Sequence, residues 1–158
     1  MFHGCTTIRV DRSYAYAYSL GMHTISPGPA ATRSLSINTP PEIVFALVSD
    51  PRRLPDWAPS FASAVTPAGQ EWVIESGEDQ FRMRVRLSRE HGTIDLFRPE
   101  DGNRGAYMRV LSNGAGSEFV FTLIFPAGTP DELIAEQMTT VETELRAVRD
   151  LCEGRGDV

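Results

Sequence analysis

Gln80-Phe-Arg-Met-Arg-Val-Arg-Leu-Ser88 alternates without a break, with Phe81, Met83, Val85 and Leu87 in one register and Arg82, Arg84 and Arg86 in the other. Successive side chains of a strand point to opposite faces, so this stretch reads as a β-strand with one dry and one wet side. Downstream, Phe119, Phe121, Leu123 and Phe125 share a face opposite Val120, Thr122 and Ile124, which makes a strand apolar on both sides. Four further runs, at residues 61–65, 71–75, 93–97 and 106–111, have strand character. Turn signals separate the six at Pro67-Ala-Gly69, Ser76-Gly-Glu-Asp79, His91-Gly92, Glu100-Asp-Gly-Asn103 and Asn113-Gly-Ala-Gly116. Connections this short favour antiparallel neighbours, and a meander is the expected topology.

Helices flank this block. Ser34-Leu-Ser-Ile-Asn38 alternates as a first strand, and Thr39-Pro-Pro-Glu42 then opens a helix to about residue 48. Thr39 is the expected cap, Glu42 completes a capping box, and Ile43, Val44 and Leu47 are its buried side. Asp50-Pro51 ends it, and Arg52-Arg-Leu-Pro-Asp-Trp57 makes a second helical turn before Pro59. At the far end Thr129-Pro-Asp-Glu132 repeats the capping arrangement and starts a helix over residues 130–153. Ile134, Met138, Val141, Leu145, Val148 and Cys152 recur at spacings of 4, 3, 4, 3 and 4, one apolar stripe on a helix. At 1.5 Å per residue that helix is about 35 Å long. Ser26-Pro-Gly-Pro-Ala-Ala-Thr32 reads as a linker. It divides the chain into an N-terminal extension (1–32), one domain (33–154) and a tail (155–158). Residues 1–25 fit a flexible extension, an added edge strand, or an upstream start with Met22 as the alternative initiator.

Length and composition bound the chemistry. At 158 residues and 17.5 kDa the chain suits one domain with a substantial core. Its 15 basic residues are all arginine, which excludes a Schiff-base lysine, a lysine general base and a phosphate-loop lysine. A net charge of −6 argues against nucleic acid as partner. Residues 130–158 hold eight acids and three arginines, the composition of a solvated helix face. Cys5 and Cys152 lack metal-ligand spacing and form no disulfide framework, so a reducing cytoplasm is the expected location. No apolar run reaches the length of a membrane span, and the tyrosine-rich Tyr14–Leu20 stretch lacks the form of a signal peptide.

Strand, two short helices, six antiparallel strands and one long amphipathic helix make an α+β chain. Four segments carry a resemblance to a known family: Ile37-Asn-Thr-Pro-Pro-Glu-Ile-Val-Phe45, Asp50-Pro-Arg-Arg-Leu-Pro-Asp-Trp57, Asn113-Gly-Ala-Gly-Ser-Glu118 leading into Phe121-Thr-Leu123, and the close from Glu144-Leu145 to Leu151-Cys-Glu153. Over about residues 33–154 the sequence resembles the START-like SRPBCC superfamily, the polyketide cyclase/dehydrase and lipid-transport group. The resemblance implies a helix-grip fold, in which a curved antiparallel sheet of about seven strands wraps around the C-terminal helix. It also implies an internal cavity for a hydrophobic or aromatic small molecule. It implies no particular reaction, because carriers, cyclases, ring-hydroxylase subunits and co-chaperones share that fold.

A curved sheet cannot press every inward side chain against one helix, and the hollow left is apolar with a few polar groups. The candidate liners are Trp57, Phe61, Trp72, Phe81, Met83, Phe119, Phe121 and, from the helix, Met138. Large apolar residues equally serve as plain core filling. Tyr107 and Arg109 alternate with Met108 and Val110. If Leu111 is inward they share its face, where Arg109 would bind an acidic or enolate oxygen and Tyr107 would donate a hydrogen bond. With the opposite parity Arg109 joins Arg82, Arg84 and Arg86 outside.

His3 and His23 fall in the extension and His91 in a turn, and none has a visible partner for acid/base work. No nucleophile elbow, two-histidine metal spacing or phosphate loop is present, so no metal or cofactor is expected. Three functions stay open. The favoured one is a cytoplasmic carrier or sensor of a hydrophobic or aromatic metabolite, with no integral membrane association. The others are a polyketide cyclase or dehydratase using Tyr107 or Arg109, and a co-chaperone-like interaction module. Oligomeric state and ligand identity are not readable from the residues.

Overall fold

A computed structural model describes residues 27–101 and 105–154. The three readings of residues 1–25, the histidines at 3 and 23, Cys5 and the tail 155–158 lie outside the described residues. In chain order the elements are β1 (Ala30–Ile37), α1 (Pro41–Val48), a 3-10 turn (Pro51–Arg53) running into α2 (Leu54–Trp57), β2 (Ala64–Ala68), β3 (Glu71–Ser76), β4 (Asp79–Ser88), β5 (Thr93–Phe97), a second 3-10 turn (Pro99–Asp101), β6 (Gly105–Asn113), β7 (Gly116–Ile124) and α3 (Asp131–Cys152). The strands form one curved antiparallel sheet in the order β1-β7-β6-β5-β4-β3-β2. Strands β2 to β7 are thus the expected meander, and β1 closes onto the free edge of β7.

Register explains which side is the core. Ile94 pairs with Met108, which pairs with Phe121, and Val110 pairs with Phe119, which pairs with Leu35. All of these except half-buried Leu35 are buried, and they meet the stripe of Met138, Val141, Leu145 and Val148 on α3. The long helix packs chiefly over β1, with α1 and α2 against it. On the convex face Glu71 accepts from Arg82 (3.2 Å) and Arg84 (2.9 Å), and Asp95 accepts from Arg86 (2.8 Å). These pairs face water and contribute little individually. They do settle that the arginine side of β4 is the wet side.

Several local expectations give way to tertiary pairing. β1 begins at Ala30, inside the stretch read as linker, because Ala30 pairs with Ile124 and the Phe125 amide donates to the Pro29 carbonyl at 2.8 Å. A Cβ on Gly28 would lie 1.7 Å from the Phe125 carbonyl oxygen, so glycine is required at that approach. β2 lies three residues later than expected, since the Phe61 and Ala62 amides both donate to the Ala58 carbonyl and prolong the turn after α2. Pro67 then sits within an edge strand, where its missing N–H costs nothing. Thr39 and Thr129 do not cap: Pro40 and Pro130 hold the N-cap positions, and neither helix has a side-chain cap bond. Thr39 Oγ1 instead donates to the Cys152 carbonyl (3.2 Å), and Thr129 Oγ1 to the Pro126 carbonyl (2.7 Å). On α1, Ile43 is 53% exposed and Phe45 is buried in its place beside Val44, Leu47 and Val48.

Candidate functional site

The concave face of the sheet and α3 enclose an interior that brings eight of the ten candidate residues together. Trp57, Met83, Phe119, Phe121 and Met138 are buried in one cluster, and Phe61, Trp72 and Phe81 pack against it half-buried. Phe61 meets Phe81 edge-on at 5.6 Å between ring centroids, and Phe119 meets Phe121 the same way at 6.4 Å. Cover is incomplete on the side away from β1. Leu87 shares the parity of Met83 yet is 48% exposed, and Phe81 and Trp72 keep part of their surface. Arg98, from the end of β5, lays its guanidinium 3.7 Å from the centroid of the Phe81 ring at this rim.

Tyr107 and Arg109 are not part of the interior. β6 turns Met108 and Val110 inward, at 2% and 5% exposure, so the alternating residues point to the convex face. There Tyr107 pairs with Asp95 and Thr122, Arg109 with Thr93 and Val120, and Leu111 is exposed. The expectation that an inward Leu111 carries Arg109 with it fails for a specific reason. β6 has apolar residues in both registers, and the partner strands select Met108 and Val110 because only these oppose Ile94, Phe121 and Phe119.

What the interior does contain is an acid. Glu144 lies on the buried side of α3 with Val141, Leu145 and Val148, and is 7% exposed. Buried Ser117 and Thr39 are satisfied: Ser117 Oγ donates to the Thr39 carbonyl at 2.6 Å, and Thr39 to Cys152. Among the described residues nothing donates to the Glu144 carboxyl. Two residues away, Glu142 holds Arg33 of β1 at 2.7 Å and Arg146 at 3.6 Å. Burial therefore lifts the Glu144 carboxyl from its usual range to about 7. Among the described residues the Trp57 indole Nε1–H, buried at 1% exposure, has no acceptor. Buried polar groups nearly always find partners, so the indole N–H marks the interior as unusual.

Glu144 was readable as an exception. It stands three residues after Val141 and four before Val148, inside the apolar stripe, although the acid-rich final segment as a whole reads as a solvated face. Elsewhere, Cys152 is a free thiol raised to about 11 by burial and by the nearby Glu153 charge, which leaves it unreactive. Among the described residues no group of three His, Cys, Asp or Glu side chains could hold a metal ion. None of the described helices is long and apolar enough to cross a membrane. A surface groove of about 270 Å³, lined by Ile43, Ala46, Leu47, Arg53, Leu151 and Cys152, runs between α1 and the end of α3.

Comparison with known proteins agrees with this architecture. Residues 29–153 match the model of the family described as polyketide cyclase / dehydrase and lipid transport. No curated protein is matched by sequence. Among solved structures the chain is similar to the protein XoxI from Bacillus cereus, at 18% identity and a TM-score of 0.65, over 82% of this chain and 99% of that one. A START superfamily protein from Mycobacterium smegmatis matches at 13% identity and a TM-score of 0.64, over 79% and 97%. The ZhuI aromatase/cyclase from Streptomyces sp. R1128 matches at 19% identity and a TM-score of 0.61, over 82% and 96%. At these identities the likeness is one of fold.

Proposed function

The chain belongs to the polyketide cyclase / dehydrase and lipid transport family, and on that premise we propose that it binds a hydrophobic or aromatic small molecule between the concave sheet face and α3. The observation that carries this reading is an apolar, aromatic-rich interior that holds the buried Glu144 side chain, which takes no hydrogen bond from a described residue, and the Trp57 Nε1–H, which has no acceptor among them. Leaving a buried polar group unsatisfied costs about 1–3 kcal/mol, a penalty that a bound molecule with matching polar atoms would remove. The half-covered rim at Leu87, Phe81 and Trp72 supplies a way in. Titration with the neutral fluorophore 1-aminoanthracene tests the reading. One saturable site per chain is expected, with a melting temperature that rises with ligand concentration. Non-saturable partitioning without stabilisation would refute it.

A cyclase or dehydratase activity is a second reading, favoured by one observation: a buried carboxyl titrating near 7 is suited to proton transfer at neutral pH. Tyr107 and Arg109 lend it no support from the convex face. If the protein turns over a linear poly-β-ketone thioester, Glu144→Gln abolishes turnover and keeps binding; equal turnover in the variant excludes Glu144 as the acid/base.

A further inference from the structure

We infer that the interior selects neutral, oxygen-bearing apolar molecules and rejects anionic ones such as fatty acids, with Glu144 as the selecting residue. This rests on the small-molecule reading above and deepens it by naming the ligand class. The sequence pattern left both parities of Arg109 open, one of them inward and pairing with an acidic ligand. The structure replaces that buried cation with a buried acid.

The charge inventory around Glu144 is short. β1 brings Arg33, which is held by Glu142. α1 brings Glu42, exposed at the first turn. The 3-10 turn and α2 bring Arg52, Arg53 and Asp56, paired with Asp50 and with each other. On α3 itself Arg146 reaches Glu142, Arg149 reaches Asp150, and Cys152 keeps its proton. The buried and half-buried inward positions of β3 to β7 carry no charge: Trp72, Ile74, Phe81, Met83, Ile94, Leu96, Met108 and Phe119 are typical, and Asp79, in the same register at the exposed start of β4, faces water. Arg98 is occupied over the Phe81 ring at the rim. Burial is the sole cause resolved for the raised Glu144 carboxyl, so none of these neighbours compensates a charge there.

Two consequences follow from elementary electrostatics. Among the described residues a ligand carboxylate entering this interior meets no buried cation, Arg89 lying exposed over the Phe45 ring, and a second acid in a poorly solvated site raises the cost of both charges. A neutral ligand meets two donors when Glu144 is protonated, its own O–H and the Trp57 N–H, since an indole can only donate. Carbonyl and hydroxyl oxygens are the complementary atoms. Binding then favours the protonated acid, and affinity falls as Glu144 ionises.

The test compares two probes with one ring system, 2-acetylnaphthalene, a neutral ketone, and 2-naphthoate, an anion, on the full chain by calorimetry and tryptophan fluorescence. With only the protonated fraction competent and a carboxyl near 7, the ketone should bind about tenfold more weakly at about pH 8 than at about pH 5.5. At the higher pH naphthoate should bind at least about tenfold more weakly than the ketone. In Glu144→Gln the ketone should lose its pH dependence and the gap between the probes should narrow. Equal binding of both probes to the wild type at the higher pH, or a gap unchanged in Glu144→Gln, overturns the inference and leaves small-molecule binding standing. Failure of both probes and of 1-aminoanthracene to bind overturns the two together.

Discussion

Replacing Glu144 by glutamine should make the protein more stable, and by an amount that depends on pH. The carboxyl sits at about 7 in the folded protein against 4.5 as its ordinary value. For an acid raised on folding the sign is fixed. Below the unfolded value both states are protonated and there is no penalty. As pH climbs from 4.5 to about 7 the unfolded chain ionises while the folded one resists, and stability is lost. A separation of about 2.5 units at 1.36 kcal/mol each gives a full penalty of about 3 kcal/mol above neutrality. Glutamine keeps the shape and one donor but never ionises. Because the penalty is about 1 kcal/mol at pH 5.5 and about 3 kcal/mol at pH 8, the advantage of the variant should widen by about 2 kcal/mol between them. Urea unfolding followed by tryptophan fluorescence at a series of pH values reads this directly. Comparing the two pH values cancels any constant cost of the amide. It also cancels the ionisations of Asp50, Glu71 and Glu118, all held below their ordinary values by hydrogen bonds and common to both proteins. Parallel stability curves for wild type and Glu144→Gln from pH 5.5 to 8 would refute the claim that this carboxyl is buried and uncompensated.

Arg109→Ala should leave 1-aminoanthracene affinity unchanged and stability within about 0.5 kcal/mol, as expected of an exposed residue on the convex face; a loss of affinity in the titration would place the residue inside after all. Gly92→Ala should destabilise by about 2 kcal/mol or more in chemical denaturation, since Gly92 has φ 64 and a new Cβ would lie 2.3 Å from the Val110 carbonyl oxygen. A change under about 0.5 kcal/mol would show that the turn relaxes freely. In a Cys5→Ser background, Cys152 should react with iodoacetamide about a hundredfold more slowly at pH 8 in the folded protein than in urea, because a thiol raised to about 11 is almost wholly protonated. Equal rates would mean that the thiol is exposed.

Much of the architecture was legible because it is local. The alternation of Phe81, Met83, Val85 and Leu87 against three arginines specifies both a strand and its wet side. The stripe from Ile134 to Cys152 specifies a helix and its dry side. These readings held because no competing register exists in either segment. β6 is different: Met108 and Val110 alternate with Tyr107, Arg109 and Leu111, so neither face is clearly apolar and the strand alone does not choose. The choice is made by Ile94, Phe119 and Phe121, residues brought alongside by pairing. The same holds for Thr39, which has the composition of a cap and is diverted to the Cys152 carbonyl at the opposite end of the domain.

The sequence by itself determined the elements, their antiparallel order and the aromatic stock of the interior, because side-chain periodicity is a property of consecutive residues. Tertiary structure alone decided where charge sits. Arg109 went to water and Glu144 to the interior, although the helix bearing Glu144 has the more acidic segment and the strand bearing Arg109 the more apolar one. Whether a charged group is desolvated depends on what covers it and on which partners come within reach. Arg33 reaches Glu142 and nothing described reaches Glu144, a distinction between residues two positions apart on one helix that only the packed molecule makes.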